Sequence, residues 1–449
     1  MKREQFKSRL GFILISAGCA IGIGNVWRFP YVVGNNGGGI FVLFYLFFLA
    51  VLGIPVMSME FAIGRASRKS IVRAYSDLEK KGTKWHFMGY LSVIGNYLLM
   101  MYYTTVSGWM LYYCYATLTG KLKGLDNADI GTFFSDLMAS PLTMILFTFI
   151  VIIIGFLVCS AGLQNGVEKI TKPMMLALIA IMVLLAVNSI LSPGGSEGLK
   201  FYLKPDISAV NKAGWLNVIV QAMNQSFFTL SIGIGSMLIF GSYQSDKNSI
   251  LGESARIALL DTFVAIVAGL IIFPACFSHG ISPDSGPNLI FITLPNVFNA
   301  MPLGQIWGGL FFLFMTFAAF STVIAVFENI CTLTTDILKI SRKKSSVINA
   351  IIMLFASIPC ILGFNVLSGF TLFDKNIMDI EDYLVSNLLL PIGSLAIVLF
   401  CTTKKGWGLN SFLAEVNKGS GVKLPRFMIP YMKYVLPIII ILVFLSGLL

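Results

Sequence analysis

The sequence predicts an all-α polytopic membrane protein, and three observations support that fold class. The 449 residues are 56% hydrophobic and only 12% charged, which is too few charges to cover a soluble domain of this size. Apolar runs recur from end to end, each long enough, at about 20 residues, to cross roughly 30 Å of hydrocarbon. Because lipid offers no hydrogen bonds to the backbone, such runs must be helices.

We predict eleven transmembrane helices in one domain that covers 1–449. The predicted spans are 10–37, 38–66, 86–118, 138–159, 165–191, 213–242, 252–280, 304–338, 346–364, 382–403 and 427–449. No small-residue cleavage site follows the apolar part of the first span, so a removable signal peptide is not expected.

The basic residues predict that the N-terminus is cytoplasmic, because Lys and Arg are enriched in inner loops. With this orientation most of the 32 Lys and Arg residues lie inside, many of them in the loop 65–84, and Leu449 lies at the outer face. We interpret the net charge of +11 as this bias together with attraction to anionic lipid. Nucleic-acid binding is not expected.

No enzyme is indicated by the sequence. There is no metal-ligand spacing, no Walker-type glycine loop and no nucleophile elbow, and no organic cofactor is expected. All seven cysteines fall within or at the ends of apolar spans, where buried thiols act as small hydrophobic side chains. A disulfide framework is therefore not predicted.

Two double-glycine segments stand at matching places in the first and sixth spans, at 21–25 (IGIGN) and 232–236 (IGIGS). Glycine costs roughly 1 kcal/mol relative to alanine inside a helix, so such a pair needs a reason. Close packing through small faces is one explanation. However, glycines two residues apart do not share a helical face, and polar residues flank both segments. We therefore favour interrupted helices.

The two breaks predict an inverted repeat. If the first span runs outward, the sixth runs inward, so the repeats 10–191 and 213–403 have opposite topology and 427–449 is an additional eleventh helix. Transporters of this plan bind their substrates at broken helices near the midplane. The free N–H groups of a half-helix can hold a carboxylate, and the free carbonyls can hold a cation. A zwitterionic amino acid with sodium presents this set of charges.

Three acidic residues lie well inside the spans, Glu60, Asp261 and Glu328. A charge at this depth costs at least about 2.5–3.5 kcal/mol, so each needs a partner. Asp261 could cap a helix or join a core hydrogen bond, but we favour a sodium ligand. For Glu60 we favour hydrogen bonds to the freed backbone of the broken helices. For Glu328 a structural pair and a water-lined path are both open.

Adjacent hydroxyls occur in the eighth span, at Ser321 and Thr322. In an apolar helix such hydroxyls usually bond to the carbonyl four residues earlier. If they face the break at 18–21 instead, they would complete an all-oxygen sodium cage.

The segments 22–31 (GIGNVWRFPY), 35–39 (NNGGG) and 225–231 (QSFFTLS) resemble the neurotransmitter:sodium symporter family. The likeness covers nearly the whole chain, and the eleven-span bacterial members, among them tyrosine carriers, are the most similar. The resemblance implies a leucine-transporter-like fold, an inverted five-helix repeat with discontinuous helices 1 and 6. It also implies alternating access in a plasma membrane, here the bacterial inner membrane.

The resemblance implies two sodium sites. The first would use the Ala20 carbonyl, the side chains of Asn25, Thr229 and Asp261, and the carboxylate of the substrate. The ligands of the second would be oxygen atoms only, from Gly18, Ile21, Ala318, Ser321 and Thr322.

The resemblance also implies the contacts of the substrate. Its carboxylate would meet the amides of Ile23 and Gly24 and the Tyr103 hydroxyl, and its ammonium would meet carbonyls of the broken helices. The ammonium contacts are Ala20, Phe228 and Thr229, with Ser231 nearby. The side-chain pocket would be lined by Leu99, Tyr103, Phe228, Ile234 and Val326.

Two gates follow from the same resemblance. Tyr103 and Phe228 would close over the substrate, with Arg28 and Asp382 paired above them. Arg3 and Asp336 would latch the cytoplasmic side. Phe6 stands where many relatives carry tryptophan, so the packing of that inner latch is expected to differ.

Two positions point to a subclass within the family. Monoamine carriers have aspartate where this chain has Gly22. Gly22 would instead leave room for the substrate carboxylate and border it, so an amino acid is favoured over an amine. Chloride-dependent relatives have asparagine where this chain has Asp261, so chloride is not expected to be needed. We expect a neutral hydrophobic or aromatic L-amino acid, tyrosine first, and lipid as the surrounding partner; no oligomeric state is predicted.

The alternatives are a sodium-independent exchanger of the same fold, a broad-range hydrophobic amino-acid symporter, and a channel or a substrate sensor.

Overall fold

The computed structural model describes residues 4–278 and 288–448. Helices joined by turns make up these residues, and the described ranges contain isolated β-bridges but no strand. This agrees with the predicted all-α class.

Eight continuous helical stretches in the described residues are long and apolar enough to cross a membrane. They are Gly39–Ser67, Pro141–Ser160, Leu163–Leu191, Ile250–Ser278, Gly304–Leu338, Arg342–Leu362, Ile377–Thr402 and Met428–Ser446. A ninth span is a bent pair, Arg9–Ala20 and Gly24–Asn35, whose axes differ by 57°.

The other two predicted spans are also helical. His86–Leu118 has 33 residues, and its many Tyr, Thr and Ser side chains make it less apolar than its neighbours. The sixth span is divided into Trp215–Thr229 and Ser236–Tyr243. The eleven-helix fold with discontinuous first and sixth helices is thus confirmed. Below, "span 1" to "span 11" denote these helices in chain order.

Most boundaries differ from prediction by one to three residues, and the starts of two spans differ by more: span 9 begins at Arg342 and span 10 at Ile377. The last two residues predicted for span 7, 279 and 280, lie outside the described residues. Shorter helices connect the spans or cover their ends, namely Ile71–Leu78, Asn127–Ala139, Gly195–Leu203, Ile207–Ala213, Leu289–Ala300 and Leu409–Val416.

Backbone geometry shows why span 6 is broken. Ser231, Gly233 and Gly235 have φ of +50°, +100° and +77°, and this left-handed region ends a helix and favours glycine. A Cβ at Gly233 would also overlap the Leu390 carbonyl of span 10. Both explanations considered for these glycines, an interrupted helix and close packing, therefore apply, because the helix is interrupted where another backbone approaches it closely.

Span 8 lies at the centre of the bundle and span 11 at its edge. Of their apolar windows, 72% of span 8 but only 28% of span 11 is buried inside the protein. The elements that meet at the break of span 1 include span 8, so the most buried of the eight continuous spans borders the candidate site.

One end of the bundle, which we call the N-terminal face, holds residues 4–10. There Glu4 accepts a hydrogen bond from the Leu163 amide at 2.8 Å, and buried Arg65 pairs with Glu415 at 2.7 Å.

Glu328 pairs with Arg342 and accepts a hydrogen bond from the Tyr243 hydroxyl. Of the two roles left open for Glu328, the structure shows the structural pair.

Candidate functional site

Asp261 of span 7 forms hydrogen bonds with side chains from three other spans. Its carboxylate is fully buried and accepts hydrogen bonds from Asn25 Nδ2 at 2.8 Å, Thr229 Oγ1 at 3.0 Å and Tyr45 OH at 3.4 Å. No Lys, Arg or His within the described ranges forms an ion pair with it. Because a buried charge without a counter-ion is costly, this cluster is suited to a cation.

A second cluster consists of neutral oxygen atoms only. Thr322 Oγ1 lies 3.2 Å from the Gly18 carbonyl and 3.4 Å from that of Ile21. Ser321 Oγ lies 3.3 Å from the Ile21 carbonyl and 2.9 Å from that of Ala318. The five atoms predicted for the second sodium site therefore converge, although the Ser321 hydroxyl also bonds within its own helix.

The chemistry of both clusters suits a hard cation, which prefers oxygen ligands. In the part of the chain that the structure describes, no three His, Cys, Asp or Glu side chains gather as a transition metal would require.

A cavity lies between the two broken helices. Nine of its lining residues were predicted to contact the substrate, namely Ala20, Gly22, Gly24, Leu99, Tyr103, Phe228, Thr229, Ser231 and Ile234. Ile23 joins them through its backbone, because its N–H donates to the Tyr103 hydroxyl at 3.0 Å. Val326, also predicted, is fully buried but is not among the lining residues.

Four lining residues were missed by the sequence analysis as substrate contacts: Cys19, Thr322, Val385 and Leu390. Thr322 shares its hydroxyl with the second cluster and joins that cluster to the cavity. Val385 and Leu390 come from span 10, where apolar residues in an apolar helix carry no distinguishing signal.

Gly22 and Gly24 allow side chains to approach the backbone of span 1. A Cβ on Gly22 would overlap the Tyr103 hydroxyl and would lie 2.7 Å from Thr322 Oγ1. A Cβ on Gly24 would lie 2.6 Å from the Phe228 ring. Any larger residue would therefore displace the walls of the cavity.

Glu60 of span 2 binds the broken part of span 6. Its carboxylate accepts from the amides of Gly233 at 2.5 Å and of Met237 and Leu238 at 3.2 Å each. The carboxylate replaces the partners that these N–H groups would have in a continuous helix. The backbone role predicted for Glu60 is confirmed.

The predicted outer gate residues lie near the cavity with different partners. The Arg28 guanidinium stacks over the Phe228 ring at 4.3 Å. Asp382 accepts from the hydroxyls of Tyr102 at 3.0 Å and Ser386 at 2.8 Å. Within 4–278 and 288–448 there is no direct Arg28–Asp382 ion pair, because each group faces one of these other partners.

At the N-terminal face, Arg3 of the predicted latch lies outside the described residues. Asp336 accepts a hydrogen bond from the Ser70 amide at 2.8 Å. Phe6 packs edge-on against the rings of Phe12 and Tyr243, at centroid distances of 5.6 and 5.8 Å.

The chain is similar to known membrane transporters along nearly its whole length. The model of the sodium:neurotransmitter symporter family matches residues 3–127 and 137–449. An uncharacterised sodium-dependent transporter of Bacillus subtilis, YhdH, is 34% identical over 99% of this chain and 98% of its own length. A counterpart from Methanocaldococcus jannaschii, MJ1319, is 33% identical over 94% of this chain and 86% of its own.

Among solved structures, MhsT in complex with L-phenylalanine matches with a TM-score of 0.89 and 36% identity, covering 99% of this chain and all of that one. Broken helices, oxygen clusters and a cavity between them thus occur in a chain that resembles sodium-dependent transporters along its whole length. The protein belongs to the sodium:neurotransmitter symporter family, as a multi-pass, sodium-dependent membrane transporter.

Proposed function

We propose that this transporter imports a neutral hydrophobic or aromatic L-amino acid together with two sodium ions and without chloride. The observation that supports it most directly is the position of the cavity. The residues that line it come from both broken helices, and it shares Thr229 with the Asp261 cluster and Thr322 with the neutral oxygen cluster.

The lining of the cavity favours a hydrophobic side chain. Leu99, Phe228, Ile234, Val385 and Leu390 supply apolar surface, and none of the lining residues is Lys or Arg. An acidic substrate would therefore lack a counter-ion. The solved relative MhsT holds L-phenylalanine, which supports an aromatic substrate. Tyrosine is the first candidate, and a broad hydrophobic range is the alternative.

The Asp261 cluster is the proposed first sodium site and the Ser321–Thr322 cluster the second. In the first site Asp261 supplies the negative charge that chloride would otherwise bring, so transport proceeds without chloride. A substrate carboxylate near Ala20 and Gly22 would add a further ligand to this ion. Shared contacts of this kind make the coupling reciprocal, so the amino acid also tightens sodium binding.

The proposed orientation places the N-terminal face in the cytoplasm and the C-terminus outside, in a bacterial inner membrane. The repeats 10–191 and 213–403 would alternate access around the cavity, with 427–449 as an added helix. Two sodium ions moving down 100 mV release about 4.6 kcal/mol, at roughly 2.3 kcal/mol per charge. That supports accumulation by about three orders of magnitude before any sodium concentration gradient is counted.

Uptake into proteoliposomes tests the proposal. Purified protein should accumulate labelled tyrosine or phenylalanine against a gradient when sodium is imposed outside, equally well with chloride or gluconate as the anion. Accumulation should vanish when potassium replaces sodium. Exchange of internal for external amino acid without net accumulation would instead support a sodium-independent exchanger.

Tyr103→Phe should raise the KM for the amino acid roughly 10- to 100-fold, because a hydrogen bond to a charged group contributes about 1.5–3 kcal/mol. The variant also loses the hydroxyl that accepts from the Ile23 amide. Kinetics of sodium-driven uptake measure the effect. Tyr112→Phe on the same helix, whose ring stacks on Phe133, should leave KM unchanged; equal KM values for all three proteins would exclude Tyr103 from the substrate site.

A further inference from the structure

Two asparagines are buried beside the broken part of span 6, Asn96 on span 3 and Asn329 on span 8, with 2% and 3% of their surface exposed. Asn329 Nδ2 donates to Asn96 Oδ1 at 3.0 Å. Asn96 Nδ2 in turn donates to the carbonyls of Ile234 at 2.8 Å and Ser92 at 2.7 Å. A chain of hydrogen bonds therefore runs from span 8 through span 3 to the break.

Ile234 is the residue between the two glycines of that break, and it is one of the residues that line the cavity. The same turn of span 3 also limits where this side chain can go, since a Cβ on Gly95 would lie 2.9 Å from Ile234 Cγ2. While Glu60 binds the N–H groups of the break, Asn96 binds a carbonyl from its other side. The position of Ile234 is thus fixed through its backbone.

An asparagine at position 329 would be unfavourable if its side chain only filled space. Its Oδ1 is buried and accepts no hydrogen bond from a described protein group, and Asn329 borders a small space that Asn96 also lines. An unsatisfied buried acceptor destabilises a fold, whereas an apolar residue of the same shape would not. The bond that Asn329 does make is the one to Asn96, so its benefit lies in orienting that amide.

We propose that Asn96 and Asn329 are positioning residues for substrate selection. Together they set how far Ile234 projects into the cavity, and thereby which hydrophobic side chains fit. This inference rests on the proposed function, since it concerns the amino-acid side chain held in that cavity. Asn96 touches the Ile234 carbonyl, and Asn329 acts through Asn96.

The test replaces each asparagine by leucine, which has the same number and branching of side-chain heavy atoms but cannot form hydrogen bonds. Sodium-driven uptake of labelled leucine, phenylalanine and tryptophan is measured in proteoliposomes, and kcat/KM is compared between substrates. Asn96→Leu and Asn329→Leu should each shift the tryptophan-to-leucine ratio by about 5-fold or more in the same direction. Because both residues belong to one chain of bonds, the double variant should shift it no further. The sodium concentration for half-maximal uptake should stay unchanged.

Asn349→Leu is the matched control. Asn349 is equally buried. It bonds Thr334 Oγ1 at 3.0 Å and the Ser345 carbonyl at 2.8 Å and accepts from the Tyr97 hydroxyl of span 3, but among the described residues none of its partners belongs to the break. This variant should lower the amount of folded transporter without changing the substrate ratios. If the leucine variants do not fold, Asn329→Ala, which extends the neighbouring space, gives the same comparison.

Unchanged ratios in variants that transport would overturn the positioning role while leaving sodium-driven uptake intact. Absence of sodium-driven uptake in the unmodified protein would instead refute the proposed function. The two failures are therefore distinguishable.

Discussion

Asp261→Asn should abolish most sodium-driven uptake in chloride-free buffer, lowering it roughly 100-fold or more. The replacement keeps the size of the side chain and most of its hydrogen bonds, because the hydroxyls of Tyr45 and Thr229 can rotate to accept from the new amide. What it removes is the negative charge. A charge pair about 4 Å apart at a partly shielded site contributes roughly 4 kcal/mol, so the affinity for sodium falls steeply.

Uptake as a function of sodium concentration, with chloride or gluconate as the anion, measures this effect. Chloride should restore part of the activity of the variant but change nothing for the unmodified protein, because the anion can substitute for the missing carboxylate. Asp246→Asn, at a side chain that is 64% exposed, is the control and should transport normally. Undiminished uptake by Asp261→Asn without chloride would rule out the proposed first sodium site.

Glu60→Gln should destabilise the folded transporter by about 2–4 kcal/mol, the second largest effect that we expect. Two amides of the break, those of Met237 and Leu238, share one carboxylate oxygen of Glu60, and the Gly233 amide binds the other. A glutamine must turn its NH2 group toward one side of this set, so that donor faces donor. Each buried N–H group left without an acceptor costs about 1–3 kcal/mol.

Thermal unfolding of the purified protein in detergent measures this loss, and binding of a labelled amino acid reports whether the break keeps its shape. Glu197→Gln changes an exposed carboxylate and should unfold like the unmodified protein. A Glu60→Gln variant of normal stability and normal binding would show that other groups hold the break.

Residues that are chemically rare in apolar helices could be predicted from the sequence. The paired glycines, Asp261, Glu60 and the hydroxyls of Ser321 and Thr322 each require an explanation inside a membrane, and the structure places all of them in the two broken helices or in contact with them. Their signal is strong because glycine and charge are costly in the interior of a membrane helix.

Residues that act through tertiary contacts could not be predicted in the same way. Val385 and Leu390 are ordinary side chains for an apolar span, and only the path of span 10 brings them to the cavity. Glu328 gave no indication of its partner, because Arg342 lies in a loop by sequence and becomes the first residue of span 9. Asn96 and Asn329 were visible as polar residues, but their pairing depends on the crossing of two helices far apart in the chain.

Span 8 carries Ser321 and Thr322 at the oxygen cluster, and Glu328 and Asn329 one heptad later. At a rise of about 1.5 Å per residue these two levels are only about 10 Å apart, and they lie on nearly the same side of the helix because a heptad drifts by roughly 20°. One continuous helix therefore links the oxygen cluster to the ion pair of Glu328 with Arg342. A spectroscopic probe on this helix would report both levels as a single rigid body.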